Sequence, residues 1–260
     1  KNNVAMNVLT FELKTIPDID GCRKLYHLHG LSDDDVANAV FHKRRQEANT
    51  ELLRHHLHKV IAVSAVLRTG DQLKVWSLGS VESSEQDLLE RFYSGIARYT
   101  PRLVSWGGIS FDLPIINYRS LLYPVNANQY WESGRSDHSD NDLSRYNDRH
   151  TDLMDVLSGF QISASAPLNE VATLCGFPGD LAISTNQQTW ESYQAGAIKD
   201  IRSAGETAVL NTYLVYLNLQ RNRGMIDQAQ YETECQMVRD HLITSDQSHL
   251  IAFEKAWLDQ

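Results

Sequence analysis

The sequence has few of the features that mark disulfide-stabilised, zinc-binding or membrane proteins. Its three cysteines are widely separated in 260 residues and show no CxxC spacing, which argues against a disulfide framework or a zinc site. We therefore expect three reduced thiols. No apolar run approaches the ~20 residues that a membrane-spanning helix needs, and the first residues lack the pattern of a secretory signal. We expect a cytoplasmic protein with no membrane partner.

Basic residues are also scarce relative to acidic ones. The chain has 24 Lys and Arg against 33 Asp and Glu, a formal net charge of −9. This balance excludes broad electrostatic capture of nucleic acid, which depends on basic side chains replacing counterions along the phosphates. It leaves room for a local basic groove, for which Lys43, Arg44, Arg45 and Arg54 are the candidates. The alternative for these four residues is a solvated helix face and a turn before a strand.

The composition and the hydrophobic patterns of the chain are those of a globular α/β domain. Hydrophobic residues make up 42% and charged residues 22% of the chain, close to globular averages. The patterns predict a strand at 4–13, a hairpin of strands at 60–68 and 73–78, and a short strand at 103–106. Helices are predicted to follow Ser32 and Ser84, a helical block at 151–160, and long helices at 204–219, 227–242 and 248–258. This order predicts a mixed sheet flanked by helices.

Three short segments carry most of the functional information. They read FELKTIPD at 11–18, SWGGISFDLP at 105–114 and AGETAVLNTY at 204–213. In this order they resemble the three motifs of the ribonuclease H-like, DEDD-type 3′-5′ exonucleases, specifically the bacterial group similar to the proofreading domain of B-family DNA polymerases. The resemblance covers about residues 8–221 and implies a ribonuclease H-like fold. Residues 1–222 would form the exonuclease-like domain and residues 223–260 a C-terminal helical extension.

The resemblance also shows where the chain departs from an active exonuclease. The family supplies an Asp and a Glu in the first motif, where this chain has Glu12 and Lys14, and a Tyr and an Asp in the third, where it has Ala204 and Ala208. Of the four metal-binding carboxylates of the family, only Asp112 is unchanged. Two Mg²⁺ or Mn²⁺ ions need a cluster of carboxylates to hold them and balance their charge. The four ligand positions here carry a formal charge of −1 rather than −4.

These substitutions predict a site that has lost its metal ions. Residues two apart in a strand point to the same face, so Glu12 and Lys14 would look into one pocket. We hypothesise that the Lys14 ammonium pairs with Glu12 or Asp112 and replaces the metal cluster, so no metal cofactor is expected. If one cation is held, Glu12 and Asp112 would hold it.

Three functional hypotheses follow. The leading one is a catalytically degenerate exonuclease-like protein retained for binding nucleic acid or protein, so the sequence leaves enzymatic activity open and favours its absence. A second is a residual metal-dependent exonuclease acting on single-stranded ends. A third is a protein-interaction scaffold that binds its partner through the C-terminal helices. Tyr130 and Trp131 are candidates for stacking on bases of a single strand.

Overall fold

The computed structural model of the chain describes residues 7–132, 149–179 and 182–259. The strands in this part of the chain are β1 (Val8–Pro17), β2 (His58–Thr69), β3 (Gln72–Ser77), β4 (Arg102–Ser105) and β5 (His150–Asp152). The first helices are α1 (Ile19–Tyr26), α2 (Asp33–Ala48), α3 (Glu85–Tyr99), α4 (Asp112–Ser120), α5 (Asn128–Glu132) and α6 (Leu153–Leu157). They are followed by α7 (Leu168–Leu174), α8 (Asn186–Gln194), α9 (Ile198–Asn222), α10 (Gln228–Ile243) and α11 (Ser248–Leu258).

The five strands form one mixed sheet in the order β3-β2-β1-β4-β5. The β1–β2 and β2–β3 pairs are antiparallel, whereas β1–β4 and β4–β5 are parallel. Helices cover both faces of this sheet. The predicted α/β architecture, a ribonuclease H-like mixed sheet flanked by helices with further helices at the C-terminus, is confirmed.

The central strand β1 has two chemically different faces. Leu9, Phe11 and Leu13 pack into a core shared with α3 and α4. The alternate residues, which include Val8, Glu12 and Lys14, face the long helix α9 on the other side of the sheet. The polar residues of the first motif therefore lie between the sheet and α9.

Helix α9 comes close to the sheet at a glycine. A Cβ atom on Gly205 would lie 2.3 Å from the Ser64 Oγ of β2 and 3.8 Å from the Lys14 Cγ of β1. Real Cβ atoms do not approach an oxygen that closely, so the glycine permits this packing. The approach brings the third motif next to the first.

Most predicted helices and strands are found with small shifts in their ends. Ser32 and Ser84 accept hydrogen bonds from Asp35 N and Asp87 N, both at 3.2 Å, and so cap α2 and α3 as predicted. The first strand, predicted at 4–13, is described from Val8 to Pro17. The stretch at 133–148 is polar and rich in charged residues, a composition that predicts a mobile loop or insertion, and it lies outside the described residues.

One prediction of secondary structure is wrong. The helical block predicted at 151–160 begins with β5, which pairs in parallel with β4 through Leu103↔His150 and Ser105↔Asp152. A strand of three residues leaves too short a pattern to show the period-2 alternation, so only the following helix α6 was visible in the sequence.

The C-terminal helices α10 and α11 pack onto α9 and share its core. Val238 and Leu242 of α10 and Phe253 and Trp257 of α11 belong to the same hydrophobic cluster as Tyr213 of α9. The division of the chain at 222/223 stays a prediction. No helix in the described ranges is long and apolar enough to cross a membrane.

Candidate active site

A cavity of about 610 Å³ brings the three motifs together. Glu12 and Lys14 of β1, Asp112 at the start of α4 and Ala208 of α9 all line it. The sequence therefore identified residues that are neighbours in space although they come from distant parts of the chain. Ala204, one turn before Ala208, is 6% exposed and packs beside this cavity without lining it.

Lys14 has two partners in this cavity. Its Nζ lies 2.7 Å from Glu12 Oε1 and donates a hydrogen bond of 2.8 Å to the main-chain oxygen of Ile183. The Lys14 side chain is only 9% exposed, so the ammonium is held among protein atoms rather than in bulk water. Of the two carboxylates that the sequence offered as partners, the structure pairs Lys14 with Glu12.

Asp112 sits apart from this ion pair. Its Oδ1 accepts a hydrogen bond of 2.9 Å from Leu13 N, and the residue is 5% exposed. Burial raises the pKa of this carboxyl to about 7, and the nearby negative charges of Glu12 and Asp152 add to the effect. The folded structure therefore favours the protonated form of Asp112 more than water does for an exposed aspartate.

The turn between β4 and α4 places Asp112, and Asp152 holds that turn in shape. Asp152 Oδ1 accepts from Gly107 N at 2.8 Å and its Oδ2 accepts from Ile109 N at 3.0 Å. Gly107 has φ +75°, a conformation that favours glycine. Asp152 also caps α6 by accepting from Met154 N at 3.1 Å. An aspartate at the start of a helix is a common cap, whereas the bonds of Asp152 to the glycine turn depend on the fold.

Ser105 and His150 support the same turn from the sheet side. Ser105 Oγ accepts from Gly108 N at 3.1 Å and lies 2.7 Å from His150 Nε2. Burial lowers the pKa of His150 to about 4, so its imidazole is neutral at physiological pH. Ser105 is fully buried, so it cannot reach a substrate as a nucleophile.

The donor set does not fit a pair of divalent cations. Among the described residues, Glu12 and Asp112 are the two carboxylates that line the cavity, and Glu12 is already paired with Lys14. In the described part of the chain no three His, Cys, Asp or Glu side chains are grouped so that they could hold a metal ion. Two-metal phosphodiester hydrolysis needs more negative charge and more oxygen ligands than the described residues of this cavity supply.

The residues predicted to contact nucleic acid differ in what surrounds them. Lys43 Nζ lies 2.8 Å from Glu47 Oε1, Arg44 donates to Leu52 O at 2.8 Å, and Arg45 pairs with Glu51. Arg54 is exposed and has no ion pair with any described residue. Nucleic-acid binding by these four residues stays a prediction. Arg54 is the strongest candidate, because Lys43, Arg44 and Arg45 are each paired with a glutamate.

Of the two aromatic residues predicted to stack on bases, Tyr130 is not available for that role. Tyr130 is 6% exposed, its ring packs 5.4 Å from that of Tyr93, and its hydroxyl donates to Asn117 Oδ1 at 3.0 Å. Because the ring belongs to the core beside α3, it has no free face on which a base could stack. Trp131 is 51% exposed and keeps that possibility.

Comparison with known families places the motifs in context. A family model described as a predicted 3′-5′ exonuclease related to the exonuclease domain of PolB matches residues 50–257. The matched range contains Asp112, Ala204 and Ala208 and extends through α10 into α11. The resemblance seen in the motifs ended near residue 221, so it fell short at the C-terminal helices. A comparison with curated proteins finds no match.

Proposed function

This chain belongs to the family of predicted 3′-5′ exonucleases related to the exonuclease domain of PolB, and we propose that it is a catalytically degenerate member. In this proposal the protein binds nucleic acid or another protein and does not hydrolyse phosphodiester bonds. The observation that carries it is the ion pair of Lys14 with Glu12 at 2.7 Å inside the cavity that the three motifs form.

The physical reason is electrostatic. An ammonium at a ligand position repels a divalent cation, and it removes from use the one carboxylate that it pairs with. Ala208 offers a methyl group to the same cavity and can neither bind a metal nor accept a proton. Asp112 alone cannot hold two ions and activate a water between them.

A second candidate is a residual exonuclease that uses a single cation. It is favoured by one observation, that the Glu12 side chain is 26% exposed and lines the same cavity as Asp112. A cation there would have to displace the Lys14 ammonium from Glu12. We expect this exchange to be unfavourable, because it leaves a 9% exposed lysine without its carboxylate.

The binding partner is the open part of the proposal. The cavity and the exposed Arg54 favour a single-stranded nucleic acid, whereas the helical surface of α10 and α11 would serve a protein partner. The three cysteines are free thiols, which suits a reducing compartment, and we propose a cytoplasmic location on that ground.

A nuclease assay tests the catalytic part of the proposal. We expect 5′-labelled single-stranded DNA and RNA to keep their full length on incubation with the protein and either Mg²⁺ or Mn²⁺. Shortening from the 3′ end that disappears in both Glu12→Ala and Asp112→Ala would establish the residual enzyme instead. The two variants guard against a contaminating nuclease, whose activity they would not change.

A binding assay in EDTA then separates the partners. If the protein binds nucleic acid, Arg54→Ala should weaken binding to a labelled single strand. It should also reduce the slope of log affinity against log salt concentration by the amount expected for about one phosphate contact. Arg45→Ala is the matched control with a smaller expected effect, because Arg45 is paired with Glu51. Absence of strand binding even at low salt would favour the protein scaffold.

A further inference from the structure

A second cavity lies at the other end of the sheet from the candidate active site. Its volume is about 590 Å³, and it is formed where the first residue of β1 meets α9 and the first turns of α10. Val8 is flanked in the sheet by Arg68 of β2 and Arg102 of β4, and all three line this cavity. A cavity of this size is in the range that takes a small organic ligand.

Two hydrogen-bond donors at this cavity lack acceptors. Arg102 Nε and Gln220 Nε2 are buried and have no hydrogen-bond partner in the described part of the chain. Gln220 is 5% exposed. Both side chains contact the Tyr216 phenol, and these contacts oppose the rise that burial causes in the pKa of the phenol, but the phenol oxygen does not meet hydrogen-bond geometry with Arg102 Nε or Gln220 Nε2. Buried donors without a partner are costly and uncommon in folded proteins, so each such group calls for an explanation. An acceptor oxygen brought into the cavity would complete the hydrogen bonds of both.

The charged side chains around the cavity indicate which charge a ligand of these donors would carry. Arg68 is neutralised by Glu234 through two contacts of 2.8 Å, and Tyr213 donates to the same carboxylate at 3.2 Å. Asp227 caps α10 by accepting from Gln230 N at 2.8 Å. The Arg102 guanidinium has no carboxylate partner among the described residues. The formal charges of these four charged side chains sum to zero, and Arg102 is the one among them that has neither an ion pair nor a capping hydrogen bond with a described residue.

Part of the lining of the cavity is apolar. Val8, Leu217, Met225 and Ile226 supply this apolar surface. A ligand that suits both parts has one negatively charged acceptor group and a hydrocarbon or aromatic body. We propose that this cavity binds a small amphipathic carboxylate, with its carboxylate at Arg102 and Gln220 and its apolar body against these four residues.

This inference is independent of the proposed function, because the two cavities share no lining residue. Methionines report on them separately. Met225 lines the second cavity, and Met154 lines the candidate active site. One spectrum can therefore tell which cavity a ligand enters.

Octanoate is the probe for the test, titrated into the full chain labelled with ¹³C at the methionine methyl groups. We expect a saturable shift of the Met225 methyl signal and no shift of the Met154 signal, with assignments from Met→Leu variants. Octanamide has the same chain without the charge, and it should bind about ten-fold or more weakly, because a charge-assisted bond to arginine becomes a neutral one.

Two variants locate the interaction. Arg102→Gln should lower the affinity for octanoate by about ten-fold or more and leave that for octanamide nearly unchanged. Ala229→Phe places a ring at the exposed rim of the cavity and should abolish binding of both probes, whereas Ala252→Phe on α11 serves as its control. Circular dichroism and the melting temperature show whether each variant is folded.

The outcomes that overturn the inference are also defined. Equal affinities for octanoate and octanamide would show an apolar cavity without an anion site. A shift of Met154 alone, or no shift of any methionine at millimolar octanoate, would show that the cavity does not bind this class of ligand. None of these results bears on the metal content of the candidate active site.

Discussion

Lys14 determines the chemistry of the candidate active site. It lies on the central strand β1, at a position where the motif resemblance predicts an acidic metal ligand, and it contacts both Glu12 Oε1 and the main-chain oxygen of Ile183. This side chain adds a positive charge to the cavity and joins the sheet to the loop that carries Ile183, and in the proposed function it also takes the place of a metal ligand.

Replacement of Lys14 tests whether this ion pair also stabilises the fold. Lys14→Met should lower the free energy of unfolding by about 1–2 kcal/mol, because a hydrogen-bonded ammonium is lost and Glu12 is left without its partner. Lys43→Met is the matched control: its pair with Glu47 is exposed on both sides, and its loss should change stability by about 0.5 kcal/mol or less. Urea unfolding of both variants gives the comparison, and equal effects would contradict the structural role of Lys14.

The site could be predicted from the sequence only as far as local patterns reach. The spacing of Glu12 and Lys14 placed both on one face of a strand, and the motif order brought Asp112 and Ala208 beside them. The hydrogen bond from Lys14 to Ile183 joins residues 169 positions apart, and no sequence pattern in either segment predicts it. The choice of Glu12 over Asp112 likewise depends on distances that only the folded chain fixes.

At the scale of the elements, the packing of α9 against the sheet decides how the motifs meet. Helix α9 lies close to β2 only because residue 205 has no side chain, and its neighbours Ala204 and Ala208 are also small.

A pair of glycine substitutions tests this close approach. Gly205→Ala should destabilise the protein by about 1–3 kcal/mol, because the new methyl group would meet Ser64 Oγ at 2.3 Å and push α9 off the sheet. Gly95→Ala in α3 is the control, since nothing lies within 4 Å of its Cβ position. That change should stabilise the helix by about 0.5–1 kcal/mol. Thermal unfolding measures both, and a stabilised Gly205→Ala would contradict the packing of α9.

The elements that were predicted well are those with strong local signals. The capping serines Ser32 and Ser84 each marked the start of a helix, and the strands predicted at 60–68 and 73–78 form the hairpin of β2 and β3. Strand β5 was missed because its three residues are defined by their pairing with β4 rather than by their own sequence. Tertiary contact, not local preference, makes that segment a strand.

At the scale of the whole molecule, buried ionisable groups make stability depend on pH. Burial lowers the pKa of His58 from 6.5 to about 4, and a hydrogen bond to Leu53 O opposes the shift only in part. Burial lowers the pKa of His150 to about 4 as well. A folded state with the lower pKa binds fewer protons than the unfolded chain between pH 6.5 and 4. The stabilisation from these neutral imidazoles is therefore complete above pH 6.5 and is lost as the pH falls to 4.

Asp112 changes the free energy of unfolding in the opposite direction over an overlapping range of pH. Its pKa is raised from 3.8 to about 7, so the folded state holds a proton that the unfolded chain has released. Its contribution is present at low pH and is lost as the pH rises through 7. Acid unfolding of the whole protein reflects the sum of these opposing groups.

Single substitutions separate the two contributions. His58→Gln should flatten the fall of the unfolding free energy between pH 6.5 and 4, because a neutral amide no longer takes up a proton on unfolding. Asp112→Asn should have the reverse effect and make stability rise more steeply, or fall less, between pH 4 and 7. Urea midpoints at half-unit pH steps give both curves, and parallel curves for native protein and variants would contradict these assignments.

The central claim is that an ion pair has replaced the metal ions, and a manganese titration followed by electron paramagnetic resonance tests it most directly. The native protein should leave Mn²⁺ free in solution at concentrations up to about the millimolar range. The triple variant Glu12→Asp, Lys14→Glu, Ala208→Asp should restore the carboxylate cluster with Asp112 and take up close to two ions per chain. Two tightly bound ions in the native protein would contradict the account.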